Sequence, residues 1–403
     1  MPAPSFLLLG RAHAGTWWLT LQLAIGVVLG VHACQAVVTA HRERVVASGI
    51  DDAHVLVVPW MQVPHDHDPG SAAVLRTLRS VAGVLSASAA NQVPYGTSAW
   101  SAHLWTEGGA ARRDLASLYM VDDAFLATLG LATSRGRRFI AGEYRDDITD
   151  PQRPHADPAP ALISAALANR LYGVADARGQ MLYLFPGKRL QVIGVIDRIP
   201  LPATAHRADG TAVVLPVRTT RADGAHFLVR HGGDNDALAS RLHTALSAAY
   251  PDVVVATPVA LATLRANASR GPLRHAWAAL AVCASWWLLT LGVLVFGGQR
   301  WVQEHRQEVS LRRALGATGI ALGHRLRWEY LLLAIVASGL GLATVAAVLP
   351  LFVPARSSAP TPAIFVFVGA CTIGLVQLAA TWPIRLTRHI PPHLVSRSPS
   401  VRL

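Results

Sequence analysis

Apolar positions in this chain follow two rhythms. In four stretches, residues 17–40, 276–297, 331–353 and 363–382, they run nearly unbroken. Each is about 20 residues or longer, enough to cross roughly 30 Å of hydrocarbon as a helix. Between the first two, apolar residues come instead at strand and helix spacing. "AHVLVVPW" (53–60) reads as a buried strand, and "SAAVLRTLRSVAGV" sets Val74, Leu75, Leu78 and Val81 at helical spacing before "LSASAA" returns as a strand. The order recurs in "HFLVR", then "DNDALASRLHTALSAAY" with Leu238, Leu242 and Leu246 on one face, then "DVVVATP". Two strand–helix–strand units commonly combine into a four-stranded sheet with both helices on one side. The intervening stretch 116–200 is strand-rich, ends in "QVIGVI" and carries the Pro/Asp-rich loop "DDITDPQRPHADPAP". The pattern predicts a second subdomain inserted into the first, with outer halves at about 51–115 and 201–260.

Composition agrees with a membrane protein. Hydrophobic residues make up 52% of the 403 and charged residues only 15%, too apolar for one ordinary soluble domain. Charge then sets the orientation. Arg11 precedes the first apolar run, residues 298–329 carry six Arg against three Glu, and residues 384–403 carry four Arg and no acid. Residues 41–274 are near balance. Four spans put both termini on one face, and the positive-inside bias makes that face cytoplasmic. The expected layout is a cytoplasmic start (1–16), an exported segment (41–274), a cytoplasmic segment (298–329) and a cytoplasmic tail (384–403). The high pI is thus a topology signal; no nucleic-acid motif accompanies it.

Cys34, Cys283 and Cys371 all fall in the apolar runs, so the exported segment folds without disulfides. A cleaved signal peptide with "VHAC" as an acylation site is the rival reading of the start. His32 fits a signal-peptidase pocket poorly, and little positive charge precedes the run.

The stretch 298–329 is the most informative. "QRWVQEHRQEVSLRRAL" continues the second span as a helix beyond the membrane. Glu308 and Arg312 are four apart with the acid first, the favourable order. Arg312 and Arg313 lie in the last turn, where cations suit the helix dipole. Gly316 can adopt the left-handed conformation that closes a helix, and Thr318 is a good N-cap for "GIALGHRLRWEYLLL". A solvated loop with positive-inside arginines would need the charges but not the paired cap residues.

Those residues also carry a resemblance. "R-Q-E-V-S-L-R-R-A-L-G-A-T" (306–318) resembles the R-x-E-I-G-x-x-R-A-L-G-A pattern of MacB/FtsX-type ABC transporter permeases, with Glu308, Arg313, Ala314, Leu315, Gly316 and Ala317 on matching positions. Ser310 stands where the pattern has Gly, and Val309 where it has Ile. "VDDAFLATLGLATSRGRRF", "ALISAALANRLYGVADARGQMLYL" with "LQVIGVI", and "WPIRLTRHIPPHLV" follow the family's other stretches in order. The resemblance implies a membrane α-helical protein with four transmembrane helices and a large α+β extracytoplasmic domain of porter and Sabre-like subdomains. It implies a bacterial inner-membrane location, a cytoplasmic ABC ATPase subunit, a second permease subunit (homo- or heterodimer), and in some relatives a periplasmic adaptor. Glu308, Arg312, Arg313, Ala314, Leu315, Gly316, Ala317 and Thr318 would form the surface that meets the ATPase or the lipid headgroups beside it.

No G-x-x-x-x-G-K-[ST] occurs, so no cofactor is expected here and ATP would be bound by the partner subunit. The short start before Trp17 argues against an ATPase fused at the N-terminus. The chain is expected not to be an enzyme: G-x-S-x-G, H-E-x-x-H and C-x-x-C are all missing. "HDHD", His65 to Asp68, reads as a solvated loop, because four adjacent residues rarely converge on one metal ion. The spans hold no Asp, Glu, Lys or Arg and a single histidine, His32, which argues against an ion or proton pathway. Trp286 and Trp287 lie mid-span, away from the interfacial belts, and point to helix packing or a partner interface. The expected function is an ABC permease subunit for export of a peptide, small hydrophobic antibiotic or lipid-linked molecule. The alternatives are a mechanotransmitting regulator of periplasmic enzymes, a lipoprotein-release permease and a membrane scaffold without transport.

Overall fold

A computed structural model describes residues 13–45, 49–59, 69–106, 113–145, 158–185, 188–205, 210–219, 225–304, 319–352 and 361–388. The chain opens with α1 (His13–Val45), β1 (Val55–Val58), α2 (Gly70–Ser80), β2 (Val84–Ala90), β3 (Ser101–Trp105) and β4 (Arg113–Met120). It continues with α3 (Phe125–Leu129), β5 (Thr133–Gly136), β6 (Ala159–Ser164), α4 (Ala165–Tyr172), β7 (Met181–Phe185), β8 (Lys188–Ile196) and β9 (Ala212–Leu215). The last elements are β10 (His226–His231), α5 (Asn235–Ala249), β11 (Val259–Ala260), α6 (Leu261–Glu304), α7 (Gly319–Phe352) and α8 (Pro362–Arg388). They form two compact units, one of residues 44–271 and one of the segments on either side.

The unit 44–271 holds the two sheets. The first has the order β11-β1-β10-β2, all antiparallel. β1 is central, which is why "VLVV" is apolar at every position. Leu56 and Val58 face a core with Val74, Leu78, Leu238, Leu242 and Leu246, so α2 and α5 share one side of the sheet. Val55 and Val57 face the opposite core. α5 starts cleanly because the Asp234 carboxylate accepts the Ala237 N–H at 3.0 Å.

The expected strand over "DVVVATP" does not form. Val253 and Val255 are buried in the helix-side core, but Val254 is exposed and the pairing strand is the two-residue β11 that follows. Pro251 and Pro258 flank the run, and proline supplies no ladder donor.

The second sheet has the order β5-β8-β6-β9-β4-β3-β7, and β7 also pairs with β8, which closes the ladder into a ring. Leu104, Leu118, Ile163, Leu182, Val192 and Val213 fill one core of this sheet together with Leu167 and Leu171 of α4. Its membership differs from the expected insert at 116–200: β3, all of β9 and the start of β4 come from sequence outside that stretch. In β3 the alternation of buried Ala102 and Leu104 with exposed Ser101 and His103 is too short to announce its sheet.

The flanking unit is helical. Among the described residues, four helices, α1, α6, α7 and α8, are long and apolar enough to cross a membrane. Each extends past its apolar run, most of all α6, with 44 residues. Leu23, Leu294, Ala334, Ala337, Val376 and Ala379 are a shared core contributed by all four. Gly341 lets α7 approach closely: a Cβ there would lie 2.8 Å from the Ala24 carbonyl oxygen. Small residues at such crossings permit the packing that drives helix association in lipid.

Candidate functional site

The predicted coupling stretch, Glu308 to Thr318, lies outside the described residues, as does the His65–Asp68 cluster. What is described are the elements that lead to it, with α6 running to Glu304 and α7 starting at Gly319. Two fastenings hold α1, or the chain that follows it, to α6.

The first lies in the helical unit. The Gln22 side-chain amide donates to Thr290 Oγ1 at 3.2 Å, and that hydroxyl donates to the Trp286 carbonyl at 2.8 Å. In return the Trp286 indole N–H donates to the Gln22 carbonyl at 2.9 Å. Trp287 packs over Gly26, where a Cβ would lie only 3.1 Å from the indole. Each polar group here is neutral and almost all find a partner, as a hydrocarbon surrounding demands. Gln22 Oε1 is buried without one. The mid-span tryptophans therefore serve helix packing. Sequence reasoning passed over Gln22 and Thr290, although an amide inside an apolar run is itself a signal.

The second fastening lies in the unit 44–271, where α6 begins. Leu261 is fully buried in the core between the two sheets, among Val55, Tyr119, Phe125, Val214 and Leu228. Leu264 packs against the same core. The first amides of a helix lack intrahelical partners; here the Asp52 carbonyl accepts the Ala262 N–H at 3.2 Å. The Asp52 carboxylate takes Arg265 at 2.7 Å. Asp52 belongs to the segment that follows α1, so the chain entering this unit and the helix leaving it are bound at one residue. Neighbouring Asp51 pairs with Arg230 at 2.7 Å and with His54 at 3.0 Å, and the hydrogen bond from His54 is the main cause that lowers its carboxyl below the usual range.

The joint between the sheets is equally specific. Asp122 accepts the Ser88 hydroxyl at 2.6 Å and the Ala89 N–H at 2.9 Å. Burial raises its carboxyl despite those hydrogen bonds. The Asn91 side chain spans Leu118 and Met120, donating to one and accepting from the other. Tyr119, fully buried, donates to the Pro200 carbonyl at 2.6 Å. Among the described residues there is no group of three or more metal-binding side chains, and nothing resembles a nucleophile with its base. The arrangement holds elements together.

Residues 20–245 match the family described as the MacB-like periplasmic core domain, over half of the chain, and residues 280–392 match the FtsX-like permease C-terminal family. No curated protein matches. Among solved structures, the extracellular domain of the noncanonic ABC-type transporter YknZ from Gram-positive bacteria is 13% identical with a TM-score of 0.34, covering 50% of this chain and 100% of its own. The periplasmic region of MacB from Actinobacillus actinomycetemcomitans is also 13% identical, with a TM-score of 0.35 and coverage of 56% and 97%. A domain of a putative permease protein from Porphyromonas gingivalis is 16% identical, with a TM-score of 0.33 and coverage of 52% and 91%.

Proposed function

The chain belongs to the MacB/FtsX-type ABC transporter permeases, and on that premise we propose that it transmits ATP hydrolysis, carried out by a separate cytoplasmic ATPase subunit, to an exported domain. It works in a pair with a second permease subunit in the bacterial inner membrane, N-in and C-in, with residues 41–274 outside. The cargo is a peptide, a small hydrophobic antibiotic or a lipid-linked molecule, and a periplasmic adaptor completes the path where one is present. The ATPase is met by the corner from Glu308 to Thr318. The observation that best supports this reading is the single 44-residue helix α6. It is rooted at Leu261 in the core between two sheets and clasped to α1 through Gln22, Trp286 and Thr290. A force applied near Glu304 would act along this one helix, in which Pro272 supplies no backbone N–H.

The test is purification of the full chain from its native membrane. It should bring down a protein with a nucleotide-binding P-loop and a second permease chain, and the complex in nanodiscs should hydrolyse ATP. Reporter fusions after Arg300 and within 210–219 fix the sidedness. A chain that purifies without an ATPase, or a cytoplasmic signal from the second fusion, overturns the reading.

A further inference from the structure

Two histidines of the helical unit stand outside everything above. His32 of α1 and His275 of α6 are both exposed, with ring centroids 5.2 Å apart and planes at 84°. Among the described residues neither imidazole has another partner. Two imidazoles sharing one tetrahedral zinc ion, with Zn–N bonds of about 2.0–2.1 Å, have centroids about 5.2 Å apart. An edge-to-face ring pair can also sit at this distance. The two are told apart by whether the pair takes up metal.

The exported unit supplies a contrast. His54 and His231 are 6.2 Å apart, and His231 Nδ1 accepts the Gly233 N–H at 3.3 Å. That bond leaves the proton on Nε2, so His231 has no lone pair to give a metal. His32 and His275 carry no such restriction.

We propose that His32 and His275 form a binding site for a divalent transition-metal ion of the zinc class, bridging α1 to α6. Two imidazoles and open positions filled by water give an exchangeable site rather than a permanent structural one. Imidazole suits zinc and copper but not magnesium, so Mg²⁺ in ATP-containing buffer would not compete. The pair joins the same two helices as the Gln22 clasp. Given the proposed function, bound metal would restrain their separation, but the site itself does not depend on that reading.

The experiment is Zn²⁺ titration calorimetry on the full chain in nanodiscs, free of any histidine tag, with Mg²⁺ as control. Wild type should bind one Zn²⁺ equivalent more than His275→Phe, which keeps a ring at the contact but removes the ligand. His32→Ala should lose the same equivalent, and the double variant no further one. His275→Cys, which replaces one zinc ligand by another, should retain it. Each variant is read only with a wild-type thermal unfolding profile; should His32→Ala unfold, the exposed His275 variants decide alone. A wild-type isotherm for His275→Phe, or equal loss in His275→Phe and His275→Cys, overturns the proposal.

Discussion

Replacing Leu261 by alanine tests the root of α6 directly. The side chain is fully buried between the two sheets. Removing three carbons forfeits about 2.4 kcal/mol of transfer free energy at about 0.8 per carbon. A cavity of about 60 Å³ adds about 1.4 kcal/mol. The sum, about 4 kcal/mol, lies inside the ~2–5 range for such truncations. The loss should fall first on the segment nearest the site, because Ala262 donates to Asp52 and Arg265 pairs with it only while the first turn of α6 stays docked. Hydrogen exchange on the full chain in nanodiscs reads this. Amides 262–266 should exchange roughly 500-fold faster, at about 1.4 kcal/mol per tenfold, while those of β4 and β6 keep most of their protection. Leu261→Met, of similar volume, should change exchange little. Under the proposed function the alanine variant also keeps ATP hydrolysis but loses transport. If exchange at 262–266 is unchanged, or all of unit 44–271 loses protection equally, then Leu261 is ordinary core and not a mechanical root.

Three further outcomes follow from the same geometry. A double-mutant cycle of Gln22→Leu and Thr290→Val, read by unfolding in detergent, should show a coupling of about 0.6 kcal/mol and no more than about 1.7; additivity would mean that the 3.2 Å bond between them does no work. Burial holds His226 below its ordinary value, so the native state binds fewer protons than the unfolded chain. Its stabilising contribution is complete above about pH 6.5 and declines as pH falls through that value toward the lower folded one; His226→Gln should flatten this part of the wild-type stability profile, and an identical slope in both refutes the assignment. At the proposed ATPase contact, reversing Arg312 and Arg313 to Glu acts where close charge pairs are worth about 1.5–7 kcal/mol, and Gly316→Val strains a left-handed corner by about 1–2 kcal/mol; both should leave insertion intact and uncouple hydrolysis from transport, and wild-type binding and transport would reduce the corner to a loop.

Local pattern reaches some of this structure and misses the rest for identifiable reasons. "VLVV" declares a central strand because all four side chains must be apolar when both faces are covered. The spacing of Leu238, Leu242 and Leu246 declares the buried face of α5 for the same kind of reason. "DVVVATP" misleads because valines are welcome both in strands and in irregular chain that caps a core, as Val253 and Val255 do. The length of α6 is hidden by composition. Its first turns, "LATLRANASRGPLRH", carry polar residues and an internal Pro272, yet the helix continues through them. No single-sequence rule pairs Gln22 with Thr290, since the antiparallel register of two spans is set by packing such as Trp287 on Gly26.

The polar residues that local pattern does not pair bear on how α1 and α6 are held together. An ion or proton pathway needs groups that can carry charge within the spans. The polar side chains in the Gln22–Thr290 clasp are an amide, a hydroxyl and an indole, none of which titrates near neutral pH, and they are bonded mainly to one another and to backbone. A hydrocarbon surrounding makes such bonds costly to leave unmade, so α1 and α6 resist being pulled apart at this level. The same two segments are bound again where Asp52 meets Ala262 and Arg265. Under the proposed function, two fastenings on one pair of connections suit a part that transfers displacement. Under the proposed function, cargo would then move along the exported domain, and the spans would supply motion to it.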